Sequence, residues 1–209
     1  MLLDLEKLYN KHSLKINGVI HIGGHFGQEY DVYKKLKIKN MMFFEPSSNS
    51  FNVLQKKIGN KAVLVNRALG NQEGEIEMFI ESANEGQSNS ILKPALHLLQ
   101  YPHIKFNEKE LVKITRLDNY ISESKKYNFI NIDVQGYELE VFKGAEKFLH
   151  HIDYINTEVN IDEVYKDCAM IEDLDEFLSS YNFIRVETSM EGGIWGDSFY
   201  IKNDKLRNN

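Results

Sequence analysis

The stretch FINIDVQGYELEVFKGA, residues 129–145, runs from a short apolar segment straight into an acid, then a Gln-Gly pair, then an acid-started amphipathic run. Residues 129–133 read as a buried parallel strand that ends at Asp133. Residues 138–149 read as the helix that follows it. In open α/β sheets, ligands bind in the crevice outside the carboxyl ends of the strands. A carboxylate at such an edge costs stability unless it meets a partner. Asp133 therefore marks a binding site, and the rest of the chain supplies a ligand for it.

Outward from this stretch, strands and helices alternate. Leu2, Leu5, Leu8 and Tyr9 recur at helical spacing, so a helix opens the chain at about 1–13. Strands are expected at 18–22, 41–44, 62–66, 154–159, 183–187 and 198–202, with helices at 28–37, 48–57, 118–124 and 171–180. Residues 75–80 alternate polar and apolar side chains, as an edge strand does, and 111–115 form another strand. This order predicts an α/β fold, a mostly parallel sheet with helices on both faces. No proline- or serine-rich linker interrupts it, so 1–209 reads as one domain. The segment 82–110 contains Gly86, Ser88, Ser90, Pro94 and Pro102 and is expected to be a long binding loop that closes over the ligand.

The chain has 209 residues, 42% hydrophobic and 27% charged, with a formal net charge of −6. That balance disfavours the phosphate backbone of nucleic acid as a partner. The single cysteine, Cys168, permits no internal disulfide and fits a reducing, cytoplasmic compartment. Its polar, acidic surroundings do not activate a thiol. The N-terminal residues carry charges throughout and read neither as a signal peptide nor as a membrane span.

Two further constellations define the ligand. His21-Ile-Gly-Gly-His-Phe-Gly27 follows the first strand; Gly23, Gly24 and Gly27, with His25 and Phe26 between them, bring backbone amides close to a ligand at a helix start. Glu45, followed by Pro46, ends the second strand roughly 20 residues later, the placement at which an acid hydrogen-bonds ribose hydroxyls. The Gly-x-Gly-x-x-Gly spacing of dinucleotide sites is absent. A smaller nucleoside fits better, and S-adenosylmethionine is the candidate. Its adenine would lie near Arg67 and Ala68, and its sulfonium beside Asp133, Val134 and Gln135.

The chain resembles the FkbM family of S-adenosylmethionine-dependent methyltransferases. The resemblance rests on GVIHIGGHFGQE (18–29), FFEP (43–46), NRALG (66–70), GQSNSIL (86–92), ITRLDNYI (114–121), INIDVQGYELEVFKGAE (130–146), INTEVNIDEVY (155–165) and WGDSFYIK (195–202), in family order. It implies a class I methyltransferase, Rossmann-like fold with a seven-stranded sheet and an antiparallel last strand, and methylation of oxygen on sugars or polyketides. Many members carry Asp where His21 stands and Asn where His25 stands. His25, Asp133 or water would then orient the methionine ammonium, or the cofactor binds weakly.

A sugar hydroxyl is a poor nucleophile, so a base or a metal should assist its attack. Asp133, Glu158, Asn160 and Asp197 are the catalytic candidates, Asp197 in a turn before the last strand. Asp133, Glu158 and Asn160 at successive strand ends resemble the magnesium ligands of catechol O-methyltransferases, so Mg²⁺ or Mn²⁺ is one alternative. In the other, Glu158 acts as general base without metal. Gln135, Tyr137, His103 and Trp195 are candidates for contact with the acceptor, and Ser88 and Ser90 for contact with the cofactor. The leading expectation is methyl transfer to a hydroxyl of a sugar, in glycan or polysaccharide modification, with a glycan or small molecule as the acceptor. Its rivals are transfer to a lipid or polyketide hydroxyl, favoured if Leu92, Leu96, Leu98 and Leu99 line the site, and a binding module without catalysis.

Overall fold

The computed structural model describes residues 2–191 and 193–206. Five parallel strands, β1 (Gly18–Ile22), β2 (Asn40–Phe44), β3 (Val63–Val65), β7 (Phe129–Ile132) and β8 (Tyr154–Asn160), form most of a seven-stranded sheet. With β9 (Phe183–Ser189) and β10 (Trp195–Lys202) added, its order is β3-β2-β1-β7-β8-β10-β9. The last strand, β10 (Trp195–Lys202), is antiparallel to both of its neighbours, β8 and β9 (Phe183–Ser189).

Strands β1, β7 and β8 are buried along their whole length because helices cover both faces. Alternate residues therefore feed two cores. Ile20, Ile22, Met42, Phe44, Ile130 and Ile132 pack with α5 (Glu138–Lys143), α6 (Glu146–Leu149) and α7 (Ile171–Ser179). Val19, Met41, Phe43 and Phe129 pack with α1 (Leu5–Lys11), α2 (Tyr30–Lys35) and α3 (Ser48–Ile58). Asp4 starts α1 by accepting hydrogen bonds from the Glu6 and Lys7 amides.

Between β3 and β7 the chain builds a second sheet, order β4-β6-β5, from β4 (Ala68–Leu69), β5 (Gly74–Ile80) and β6 (Glu108–Thr115). β5 lies at its edge. The expected long loop is thus the excursion of an antiparallel pair. It carries the short helix α4 (His97–Gln100) and is held by bridges from Phe79 to Ser90 and from Pro94 to Tyr165.

Three expected elements differ. The helix expected at 138–149 is two helices, because Gly144 lies against the Gly70 carbonyl, where a Cβ would come within 2.0 Å. The Asp118 carboxylate then accepts from the Lys147 and Phe148 amides and caps the second helix. Residues Leu117–Lys126 form a 3₁₀ segment kinked at Tyr120 rather than an α-helix. Trp195, Gly196 and Asp197 belong to β10 and are not a turn. Among the described residues, no helix is long and apolar enough to cross a membrane.

Candidate active site

At the carboxyl edge of the sheet, a cavity of about 580 Å³ opens between the ends of β1, β2, β7 and β8 and the 82–107 excursion. That volume is ample for a nucleoside cofactor. Gly23 has φ +82° and donates to the Phe44 carbonyl, as Gly24 does. A Cβ at Gly23 would lie 1.9 Å from the Asp133 carbonyl oxygen, so only glycine lets β1 pass β7 this closely.

The turn continues through His25, whose φ is +41°, and its amide donates to Glu45 Oε2 at 2.8 Å. The Ser47 amide donates to Glu45 Oε1, also at 2.8 Å. These two amides fix the carboxylate at the end of β2. Burial nonetheless outweighs them and pushes the Glu45 carboxyl up to about 7.

Past β7 the chain wraps around Glu138, whose Oε1 accepts from the Val134 and Gly136 amides. Gln135 is thereby held at φ +57° with its side chain over the strand ends. Gln135 Nε2 donates to Asp133 Oδ1 and to Glu158 Oε2, each at 2.7 Å, while Gln135 Oε1 accepts from the Tyr165 hydroxyl at 2.7 Å. One amide thus bridges two carboxylates. Burial first, and then the charges of Asp133, Glu138 and Asp197, push Glu158 well above the usual carboxylate range.

His21, Gly23, His25, Glu45, Pro46, Arg67, Ala68, Ser88, Asp133, Val134, Gln135 and Glu158 all line the cavity, as do His103 and Trp195. The remaining candidates stand elsewhere. Gly24 and Gly27 pack beneath the turn against Phe43, Leu54 and Ile58, and Phe26 stacks on the His25 ring. Ser90 hydroxyl donates to the Gln135 carbonyl and steadies the bridge from behind. Tyr137 packs into the core near Gly70 and Ile114. Asp197 does not face the cavity but accepts hydrogen bonds from the Leu2 and Leu3 amides, tying the chain start to β10.

Asn160 also stays out of the cavity, and its side-chain amide is buried without a partner. The donor set expected for Mg²⁺ or Mn²⁺ therefore does not fit a hard cation. Asn160 does not reach the cavity, an N–H donor occupies the gap between Asp133 and Glu158, and burial disfavours the charged form of Glu158. Among the described residues, no group of three or more His, Cys, Asp and Glu side chains is arranged to hold a metal.

Other lining residues carry little signal in the sequence. Glu29 closes the GVIHIGGHFGQE stretch and reads there only as the first acid of a helix; the positive φ at His25 and Gly27 turns it to the cavity. His97, Tyr101 and Ile104 come from the excursion. The Trp195 indole donates to the Tyr101 hydroxyl at 3.0 Å. Leu92, Leu96, Leu98 and Leu99 do not line the cavity, and Leu98 and Leu99 are exposed.

The buried carboxyls give stability a definite pH dependence. Glu45 and Glu138 sit at about 7 in the fold, both raised mainly by burial, against about 4.3 in an unfolded chain. Between these values the folded state binds more protons, so stability rises as pH falls. Each group contributes about 1 kcal/mol between pH 8 and pH 6. Calorimetry should show Tm several degrees higher at pH 6 than at pH 8, and a lower Tm at pH 6 would contradict these placements.

The sheet order, the glycine turn at β1, the acid ending β2 and the acid ending β7 define an S-adenosylmethionine-dependent methyltransferase. The sequence model of the methyltransferase FkbM domain matches residues 21–185, and the chain belongs to that family. It is 27% identical over 199 residues to 2-O-methyltransferase NoeI of Sinorhizobium fredii, covering 90% of this chain and 80% of that protein. An S-adenosylmethionine-dependent methyltransferase from Aquifex aeolicus superposes with a TM-score of 0.51 at 12% identity, covering 96% of this chain and 90% of that one. The plantazolicin methyltransferase BpumL bound to S-adenosylhomocysteine gives 0.51 at 12% identity, over 95% and 80% of the two chains. At these identities the two structures share the fold.

Proposed function

We propose that this chain transfers a methyl group from S-adenosylmethionine to a hydroxyl of a sugar, in the modification of a glycan or polysaccharide. The observation that carries the reading is the Asp133–Gln135–Glu158 bridge, set in the wall of a cavity that the hydrogen-bonded Trp195–Tyr101 pair also lines. Similarity to a 2-O-methyltransferase supports oxygen as the acceptor atom.

When bound, S-adenosylmethionine supplies an electrophilic methyl group on a positively charged sulfur. Glu45 would hold the ribose hydroxyls, and Pro46, Arg67 and Ala68 would flank the base. Gly23 lets the backbone approach the ligand without a side chain between them. Asp133 takes the hydroxyl proton as the oxygen attacks, and Gln135 holds the carboxylate in place during that transfer. The Trp195 ring offers an apolar face on which a sugar can stack. Gln87 and Ser88 line the cavity from the excursion, where they would help to exclude water once the ligands are bound.

The test is incubation with S-adenosylmethionine and a panel of methyl glycosides of hexoses, deoxyhexoses and N-acetylhexosamines. The expected result is S-adenosylhomocysteine release with at least one glycoside and a methyl ether at one ring position by NMR. Turnover with long-chain alcohols and with none of the glycosides would overturn the sugar reading.

A further inference from the structure

Tyr165 ends the INTEVNIDEVY stretch, is fully buried and does not line the cavity. Three parts of the chain meet at it. Its backbone is bridged to Pro94, and its ring packs against His97 of the excursion with centroids 5.5 Å apart. The turn after β7 leaves room for it at Gly136, where a Cβ would come within 3.3 Å of the Tyr165 side chain and 3.0 Å of Cys168. Its hydroxyl has one proton and two acceptors within reach, Gln135 Oε1 at 2.7 Å and the Ser88 carbonyl at 3.1 Å. The shorter contact is the better hydrogen bond. Burial first, and then the charges of Glu158, Asp133 and Glu138, push the Tyr165 hydroxyl well above its ordinary range, so it stays a donor.

A glutamine amide fills the same space in two ways, related by a half-turn about its last bond. In one, the Gln135 nitrogen faces Asp133 Oδ1 and Glu158 Oε2 and donates to both, while its oxygen accepts from Tyr165. In the other, the oxygen would face two groups that, when ionised, only accept. The nitrogen would then meet the Tyr165 oxygen, whose proton would have to turn to the Ser88 carbonyl. The Tyr165 proton on Oε1 therefore favours the first arrangement, the one in which the amide bridges the carboxylates.

We propose that Tyr165 is a positioning residue for methyl transfer: its hydroxyl holds the Gln135 amide with the nitrogen on Asp133 and Glu158, and so fixes the carboxylate that takes the acceptor's proton. The proposal rests on the base role given to Asp133 above. The groups that face Glu158 are Asp133, Glu138 on α5, Asp197 on β10 and the Gln135 amide. Removing the Tyr165 hydroxyl acts on the last of these.

The test compares Tyr165→Phe, which keeps the ring and loses one oxygen, with the wild-type chain by ¹³C NMR titration of the Glu158 side-chain carboxyl. An amide free to turn donates less to Glu158, so the ionised form loses support and the titration midpoint should rise by about 1 in pH. Tyr200→Phe is the control. It removes a buried hydroxyl that donates to Asp175 at 2.8 Å, outside the cavity, and should leave the midpoint in place. On a glycoside that the wild type methylates, Tyr165→Phe should lower kcat about ten-fold and keep S-adenosylhomocysteine affinity within two-fold. An unmoved midpoint, an equal rise in Tyr200→Phe, or an unchanged kcat in Tyr165→Phe would overturn the proposal. If the wild type methylates no glycoside, the sugar reading fails by itself. The titration needs neither cofactor nor acceptor and still decides whether Tyr165 sets the amide.

Discussion

Gly23→Ala should abolish measurable cofactor binding and lower the melting temperature by roughly 10 °C. The added Cβ would stand 1.9 Å from the Asp133 carbonyl oxygen, a backbone atom that can move only if β7 moves. The residue also has φ +82°, a conformation that L side chains rarely adopt. Relief of both costs about 3 kcal/mol or more, which for a chain of this size is a Tm change of that order. Shifting β7 displaces Asp133 and Gln135 together, and a displacement of about 1 Å at a site costs on the order of a hundred-fold in function. Gly59→Ala is the control. Gly59 also has positive φ, at +58°, but its Cβ would meet nothing within 4 Å, so the cost is backbone strain local to the end of α3, on the order of 1–3 kcal/mol, with no strand displaced and cofactor binding kept. Equal cofactor affinity for the two variants, measured by calorimetric titration, would contradict the close approach of β1 to β7.

Asp133→Asn should cost about 10³-fold in kcat/KM while S-adenosylhomocysteine affinity stays within a few-fold. The amide is the size of the carboxylate and still meets Gln135, but it cannot take a proton. Glu158→Gln should cost much less, roughly ten-fold, because burial already disfavours the charged form of Glu158 and an amide resembles its neutral form. The order of the two effects is the informative outcome. Steady-state kinetics showing Glu158→Gln as the more damaging change would transfer the base role to Glu158. Full activity in both variants would remove the bridged pair from the mechanism.

The parts of this site legible in the sequence are those in which one short run specifies both the element and its chemistry. FINID ends a strand on an acid, FFEP does the same, and GVIHIGG turns from a strand on glycine; Asp133, Glu45 and Gly23 all line the cavity. The parts that were not legible depend on partners far away in the chain. Asp197 reads as a site acid because it follows Trp195-Gly196, yet its partners are the amides of Leu2 and Leu3, nearly the whole chain length distant. The break at Gly144 depends on Gly70. The bridge made by Gln135 depends on a positive φ set by Glu138 behind it. Cavity residues of the 82–107 excursion, such as His97 and Tyr101, follow no periodic pattern, because that segment packs by its own contacts and not by strand or helix repeats.

The central claim, a nucleoside cofactor held between Gly23, Glu45 and Asp133, is tested most directly by calorimetric titration of the whole chain with S-adenosylhomocysteine at pH 8 and pH 6. The ribose hydroxyls need an ionised Glu45, whose carboxyl sits at about 7. Saturable one-site binding is expected in the micromolar range at pH 8, about ten-fold weaker at pH 6. No binding at pH 8 would contradict the assignment of this cavity to the cofactor.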